Sequence, residues 1–202
     1  LRKIPPRRMT LTLKQGILAA PGDREAPRLV TRTGRLGRSD VAATGPAAAV
    51  PAGAQVLVSV YDPLDLVRVL VALDGHAGGI LLVSTATAPE VTAELGRIAE
   101  CTLTISDRDD LPGALRPAAA TGPATEMVEP VATVWMMTTS GTTGKPKGVL
   151  HSLASLGRTV RRDPLGRMPV WGLILEMTRF AGLQVTLQAL LGGGTLVAAP
   201  GA

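Results

Sequence analysis

The chain has one cysteine, two histidines and four aromatic residues among 202. A lone Cys101 cannot form an internal disulfide, which excludes a stapled secreted scaffold and points to a reducing compartment. Two histidines and one cysteine are too few for a zinc site, and no metal-binding residues are identified. Tyr61, Trp135, Trp171 and Phe180 are too few to build a stacking platform for single-stranded nucleic acid. Long apolar runs are also missing. No uncharged stretch approaches the ~20 residues needed to span a bilayer, and the N-terminus lacks the apolar core of a signal peptide. A cytoplasmic protein without a membrane span is the expectation.

What is present suits a folded domain. Apolar residues make up 46% of the chain, too many for a disordered segment, and 202 residues bury a real core in one domain or at most two. The net charge is +5, mostly from arginine. Arg2, Lys3, Arg7 and Arg8 form one basic cluster, and Arg158, Arg161, Arg162 and Arg167 form another. Nucleic-acid binding is not expected, because no recognised module accompanies the charge.

The most informative stretch runs from Thr138 to Gly148. From Thr139 onward it holds four hydroxyl side chains, three glycines and two lysines in ten residues. It follows an apolar run, Val131 to Met137, that reads as a buried strand. Gly141 and Gly144 let the backbone curl and approach a ligand, and successive N–H groups in such a curl form an anion-binding nest. Thr139, Ser140, Thr142 and Thr143 each offer a hydroxyl donor. Lys147 adds a point charge suited to phosphate, and Pro146 stiffens the chain before it. A polyphosphate fits such a volume; a polar hairpin loop is the plain alternative. The stretch is not a Walker A loop, because Thr139 stands where its first glycine should be and Pro146 follows Gly144-Lys145. Val149-Leu150 then continues as a strand, so the loop joins two strands.

Thr139 through Lys147 resembles the phosphate-binding signature of the adenylate-forming superfamily: acyl- and aryl-CoA synthetases, adenylation domains and luciferases. All nine positions fit, with Lys145 at the free position and Lys147 at the fixed one. Pro146 to Ser152 is similar to the usual continuation in acyl-CoA synthetases. Ala26 to Leu36 resembles the N-terminal segment of these enzymes. Gly37-Arg38 replaces their Thr-Tyr, and the helix that normally follows is shortened or replaced by Ala42 to Ala49, which reads as a loop.

The rest of the chain alternates. Ala54 to Val60 reads as a strand. Asp62 caps a helix with Pro63 at its first position, running to about Leu73 and apolar nearly all round. Ile80 to Val83 is a second strand, Thr87 to Glu90 a capping box for a helix to about Glu100, and Leu103 to Ile105 a third strand. This order predicts an α/β fold with a largely parallel sheet flanked by helices. Residues 107–130, with Pro112, Pro117 and Pro123, read as a surface connection. Beyond the loop, Ser152 to about Arg162 reads as a helix and Val170 to Leu175 as a strand. Thr178 is expected to cap a helix that Gly192-Gly193-Gly194 ends, before a last strand from Thr195 to Ala199. The resulting organisation is an atypical edge over 1–50, a βαβαβ half over 51–106, the connection over 107–130 and a phosphate-loop half over 131–202.

The resemblance implies ATP-dependent activation of a carboxylic acid to an acyl-adenylate. Transfer to a thiol, either coenzyme A or the phosphopantetheine of a carrier protein, would follow. It assigns Thr139, Ser140, Gly141, Thr142, Thr143 and Gly144 to the β- and γ-phosphates with Mg2+, and Lys147 to stabilising developing charge. By the same spacing Arg179, Phe180 and Gly182 fall at the wall of the acyl pocket. Arg179 stands where histidine or an aromatic is usual. His151 and Ser152 are read as structural. Superfamily enzymes are more than twice this long. The adenine, ribose and hinge motifs and the small C-terminal domain have no match here, so a fragment or split gene is expected, with a separate chain able to supply the missing half. A non-catalytic nucleotide- or partner-binding module, and an unrelated α/β phosphate binder, remain open.

Overall fold

The computed structural model describes residues 11–124, 130–139, 147–163 and 165–199. Within them the expected α/β fold is present. β4 (Gln55–Ser59), β5 (Gly79–Leu82), β6 (Leu103–Ser106), β8 (Val134–Thr139) and β9 (Lys147–His151) form one sheet in the order β6-β4-β5-β8-β9. Its first four strands are parallel, and β9 runs antiparallel to β8.

Two helices make the crossovers. α3 (Pro63–Leu73) carries the chain from β4 to β5, and α4 (Pro89–Ile98) carries it from β5 back across β4 to β6. Right-handed crossovers in opposite directions put these helices on opposite faces. The side chains agree with that. Val56, Val58, Ile80, Leu82, Trp135 and Met137 cluster with the buried residues of α3, while Leu57, Leu81 and Val83 cluster with Leu95 of α4. Strand residues alternate between faces, so the near-continuous apolar runs in β4 and β5 mark strands covered on both sides.

α3 begins as its sequence predicts. The Asp62 carboxylate accepts from the N–H groups of Leu64 (2.8 Å) and Asp65 (3.1 Å), and Pro63 sits at the first position. Nine of its 11 residues are buried. The helix is covered on its outer side as well, by α1 (Leu13–Ala19), α5 (Pro117–Ala120) and the two-stranded sheet of β3 (Thr44–Pro46) with β7 (Thr121–Pro123). α4 starts differently. Thr87 does not cap it: Ala88 is the N-cap without a side-chain bond, because the residue ahead of Pro89 is held extended and the helix cannot begin earlier.

The second half forms another sheet, in the order β10-β11-β1-β2: β10 (Val170–Leu173), β11 (Thr195–Ala198), β1 (Leu29–Val30) and β2 (Arg35–Leu36). β1 pairs in parallel with β11, so the N-terminal segment is built into the C-terminal half. α7 (Phe180–Gly192) crosses from β10 to β11 and ends at Gly193, whose φ of +94° is the left-handed conformation that glycine adopts without strain. Thr178 is not its cap; Arg179 is, without a side-chain bond. The Thr178 hydroxyl donates instead to Glu176 (2.7 Å). Two further differences stand out. Arg38–Ala43 forms a short helix, α2, leading directly into β3 where a loop is expected. The helix expected over 152–162 closes after α6 (Leu153–Leu156) and a 3-10 turn at Gly157–Thr159, because side chains of α7 capture the backbone that would have continued it.

Buried polar groups join the segments. Asp74, the C-cap of α3, accepts from the Leu13 N–H (2.7 Å) on one carboxylate oxygen and from the Trp135 Nε1–H (2.8 Å) on the other. Arg28 is fully buried and donates to the carbonyls of Gly193 (2.7 Å), Gly194 (3.4 Å) and Pro21 (3.1 Å), a favourable place for a cation at the C-terminus of α7. Asp74→Asn would turn an amide NH2 toward one of its two donors. We expect this change to cost about 2 kcal/mol in urea unfolding, with Trp135 fluorescence reporting the same transition.

Candidate functional site

In a parallel sheet of this kind, ligands bind at the carboxyl ends of the strands, where neighbouring connections leave toward opposite faces. β4 and β5 are such neighbours. A small, shallow depression lies beyond their ends, lined by Val60, Tyr61, Pro63, Thr85, Glu176 and Thr178 among others. Across its rim the Asp107 carboxylate, after β6, accepts from the N–H groups of Tyr61 (2.8 Å) and Asp62 (2.9 Å).

β8 ends at the same edge. Its residue Thr139 pairs with Lys147 of β9, and the antiparallel register runs unbroken from Trp135↔His151 to Thr139↔Lys147. The two ends of the candidate phosphate loop therefore lie opposite each other at the carboxyl edge of the sheet. Ser140, Gly141, Thr142, Thr143 and Gly144, together with Lys145 and Pro146, lie outside the described residues. The β5–β8 register reaches Leu82↔Met137.

Glu176 is the hub beside this edge, and the sequence reading missed it. Its carboxylate accepts from the Ser84 hydroxyl (2.7 Å), the Thr85 N–H (2.9 Å), the Thr178 hydroxyl (2.7 Å) and the Arg179 Nε–H (3.0 Å). Burial is the largest single influence on this carboxyl and pushes its pKa up. The hydrogen bonds from Ser84, Thr178, Arg179 and Thr85 together outweigh it, and the pKa lies below its ordinary value. The one sequence signal was the spacing Glu176-x-Thr178-Arg179 ahead of a helix. Its partners Ser84 and Thr85, just after β5, lie about ninety residues away, beyond the reach of any local pattern.

The three candidate pocket residues fall at the start of α7. The Arg179 Nε–H pairs with Glu176, and the side chain is otherwise exposed. Phe180 is half-exposed and stacks at a tilt on His151, with ring centroids 5.7 Å apart. Partial burial lowers the His151 pKa and favours a neutral ring. His151 is level with Trp135, four residues below the loop end on β8, or about 13 Å down the strand. Gly182 is buried, and a Cβ there would collide with the Glu176 carbonyl oxygen; it is glycine because helix and loop backbones meet at that point. Ser152 is structural, as expected: it forms a capping box with Ser155 at the start of α6. Burial pushes the Cys101 thiol up to about 11, so it is not a nucleophile at neutral pH.

The model of the AMP-binding enzyme family matches residues 48–202. The chain belongs to that family. No curated protein matches it. Among solved structures, the N-terminal subdomain of Klebsiella oxytoca NpsA is similar at a TM-score of 0.71 and 20% identity, over 94% of this chain and 54% of that one. The same subdomain in complex with 3-hydroxyanthranilyl-AMSN gives 0.69 and 20%, over 87% and 50%. The o-succinylbenzoate CoA synthetase of Bacillus subtilis, in complex with the acyl-adenylate intermediate OSB-AMP, gives 0.69 and 16%, over 93% and 55%. At these identities the likeness shows the fold. The chain spans about half the length of these structures. Family membership sets aside the chance match to an unrelated phosphate binder. Among the described residues no helix is long and apolar enough to cross a membrane.

Two substitutions test the hub. Glu176→Gln should destabilise the protein at neutral pH. Because the folded pKa is lowered, the stability that Glu176 contributes is present above its ordinary value of 4.5 and is lost as pH falls through the lowered one. Urea unfolding of wild type and variant should therefore converge on acidification. Gly182→Ala should be the more damaging, by about 2 kcal/mol or more, since the obstacle is backbone.

Proposed function

We propose that this chain is the nucleotide-gripping half of an enzyme that activates a carboxylic acid with ATP. The carboxylate attacks the α-phosphorus, the bond to the bridging oxygen of pyrophosphate breaks, and an acyl-adenylate and pyrophosphate result. The carboxylate is already anionic, so no general base is required. The protein's task is to position the reactants and neutralise charge on the leaving group.

The loop from Thr139 to Lys147 would take the β- and γ-phosphates. Thr139, Ser140, Thr142 and Thr143 would donate hydroxyls, and Gly141 and Gly144 would give backbone access. Lys147 would meet the charge that develops on pyrophosphate. The observation that carries this reading is the Thr139↔Lys147 pairing, which brings both ends of the loop to the carboxyl edge of the sheet. Among the described residues no group of three His, Cys, Asp or Glu side chains could hold a metal ion, so Mg2+ would enter with the phosphates and share their charge. Arg179, Phe180 and Gly182 would shape the near wall of the acyl pocket, with the Arg179 Nε–H bonded to Glu176. The acceptor would be the thiol of coenzyme A or of a carrier-protein phosphopantetheine arm. A reducing, cytoplasmic setting accords with the single Cys101.

The chain covers 50% to 55% of the structures just described, and this favours a division of labour. The sheet of β4, β5, β6, β8 and β9 would carry the phosphate loop, with the sheet of β1, β2, β10 and β11 beside it. The remaining motifs would come from the rest of the protein or from a separate chain. A non-catalytic nucleotide- or partner-binding module is the second reading that the same coverage supports.

The test is equilibrium binding of MgATP to this chain, with pyrophosphate exchange beside it. Lys147→Ala should weaken MgATP binding about 10- to 100-fold without changing unfolding. Acid-dependent ATP–pyrophosphate exchange should require the remaining half. Unchanged binding in the Lys147 variant would refute the assignment of the loop.

A further inference from the structure

Six arginines among the described residues, Arg68, Arg97, Arg108, Arg116, Arg167 and Arg179, each pair with a carboxylate. Arg158, Arg161 and Arg162 do not: they are exposed and make no ion pair among the described residues.

The backbone beneath them is nevertheless held firmly, by one face of α7. Gln188 accepts from the Arg161 N–H (2.8 Å) and donates to the Arg161 carbonyl (2.7 Å), so both ends of its amide grip the same residue. One turn earlier, Gln184 accepts from the Thr159 hydroxyl (2.6 Å) and donates to the Leu156 carbonyl (3.0 Å). One turn later stands Gly192, where a Cβ would come within 2.7 Å of the Gln188 amide nitrogen and 3.0 Å of the Arg161 carbonyl oxygen. Residues 184, 188 and 192 are spaced by four and share a helix face. That face presents the arginine segment in one conformation, and it is also why the helix predicted over 152–162 stops early.

We propose that this arginine segment is a docking surface for an acidic protein partner. Guanidinium groups on a fixed backbone lose less freedom on pairing with carboxylates than flexible ones would. Shortly after them in the chain Leu165, Met168 and Val170, the first residue of β10, are exposed as well. Exposed arginine and methionine near exposed apolar residues match the composition of protein interfaces. Nucleic acid fits less well, because the segment offers no exposed aromatic ring for a base to stack on. The partner surface would carry carboxylates around an apolar centre. The proposed role does not depend on adenylate formation.

The test is fluorescence anisotropy on the 202-residue chain with two labelled probes of equal charge: an amphipathic helical peptide with glutamates flanking leucines, and a single-stranded DNA oligonucleotide. The peptide should bind more tightly, with an affinity that falls as salt rises. The triple variant Arg158→Ala, Arg161→Ala, Arg162→Ala should weaken it about tenfold or more. A control triple variant, Arg24→Ala, Arg32→Ala, Arg35→Ala, removes the same charge from other exposed arginines and should leave it within about twofold. Gln188→Leu keeps every arginine yet should still weaken the peptide, because it releases the segment. Equal losses in the two triple variants would reduce the effect to net charge and overturn the proposal. Tighter binding of the oligonucleotide, or no binding of the peptide, would also overturn it.

Discussion

The fold depends on a buried carboxylate. Asp74 closes α3, and its two oxygens take one hydrogen bond from the start of α1 and one from the indole of Trp135 on β8. Taking a carboxylate out of water is expensive, and burial raises the Asp74 pKa although the bonds from Leu13 and Trp135 oppose the rise. What this cost offsets is a choice of partners. The core is almost wholly aliphatic, and apolar packing is non-directional. The carboxylate specifies which helix and which strand meet at the end of α3. The turn that follows continues the connection: the Gly75 N–H donates to the Thr133 hydroxyl (2.8 Å), which donates in turn to the Ala77 carbonyl (2.7 Å). The strand that leads into the phosphate loop thus enters the sheet in a fixed register.

Glu176 plays the matching part at the other end of the sheet. It fastens the approach to α7 onto the carboxyl end of β5, and Gly182 lets the helix close against that approach. Arg28 then ties the far end of α7 to the N-terminal segment. Three charged side chains, each bonded to segments distant in sequence, set the frame on which the β8–β9 hairpin stands.

Sequence reasoning recovered the elements whose causes are local. Asp62-Pro63 caps α3, the double-sided apolar runs are β4 and β5, and the glycines after Ala189 end α7, since each signal lies within a few residues of its effect. It failed where another interaction or constraint overrode a local signal. Thr178 looks like a helix cap, but its hydroxyl is claimed by Glu176; Thr87 looks like one too, but Pro89 holds Ala88 extended and makes it the cap. The helix predicted over 152–162 is cut short by glutamines some thirty residues away. Short strands such as β1, β3 and β7 owe their existence to pairing partners rather than to pattern. The loop signature was the most legible feature of the candidate site, because nine consecutive residues carry it. Glu176 was the least legible, because its meaning lies in Ser84 and Thr85.

The central claim is that the segment from Thr139 to Lys147 is where nucleotide meets this chain. The most direct measurement is an amide NMR titration with MgATP. The account predicts saturable shifts concentrated on residues 138–148, with smaller effects along α4 and at Arg158 to Arg162. Saturable shifts centred elsewhere, with the 138–148 amides unmoved, would contradict it.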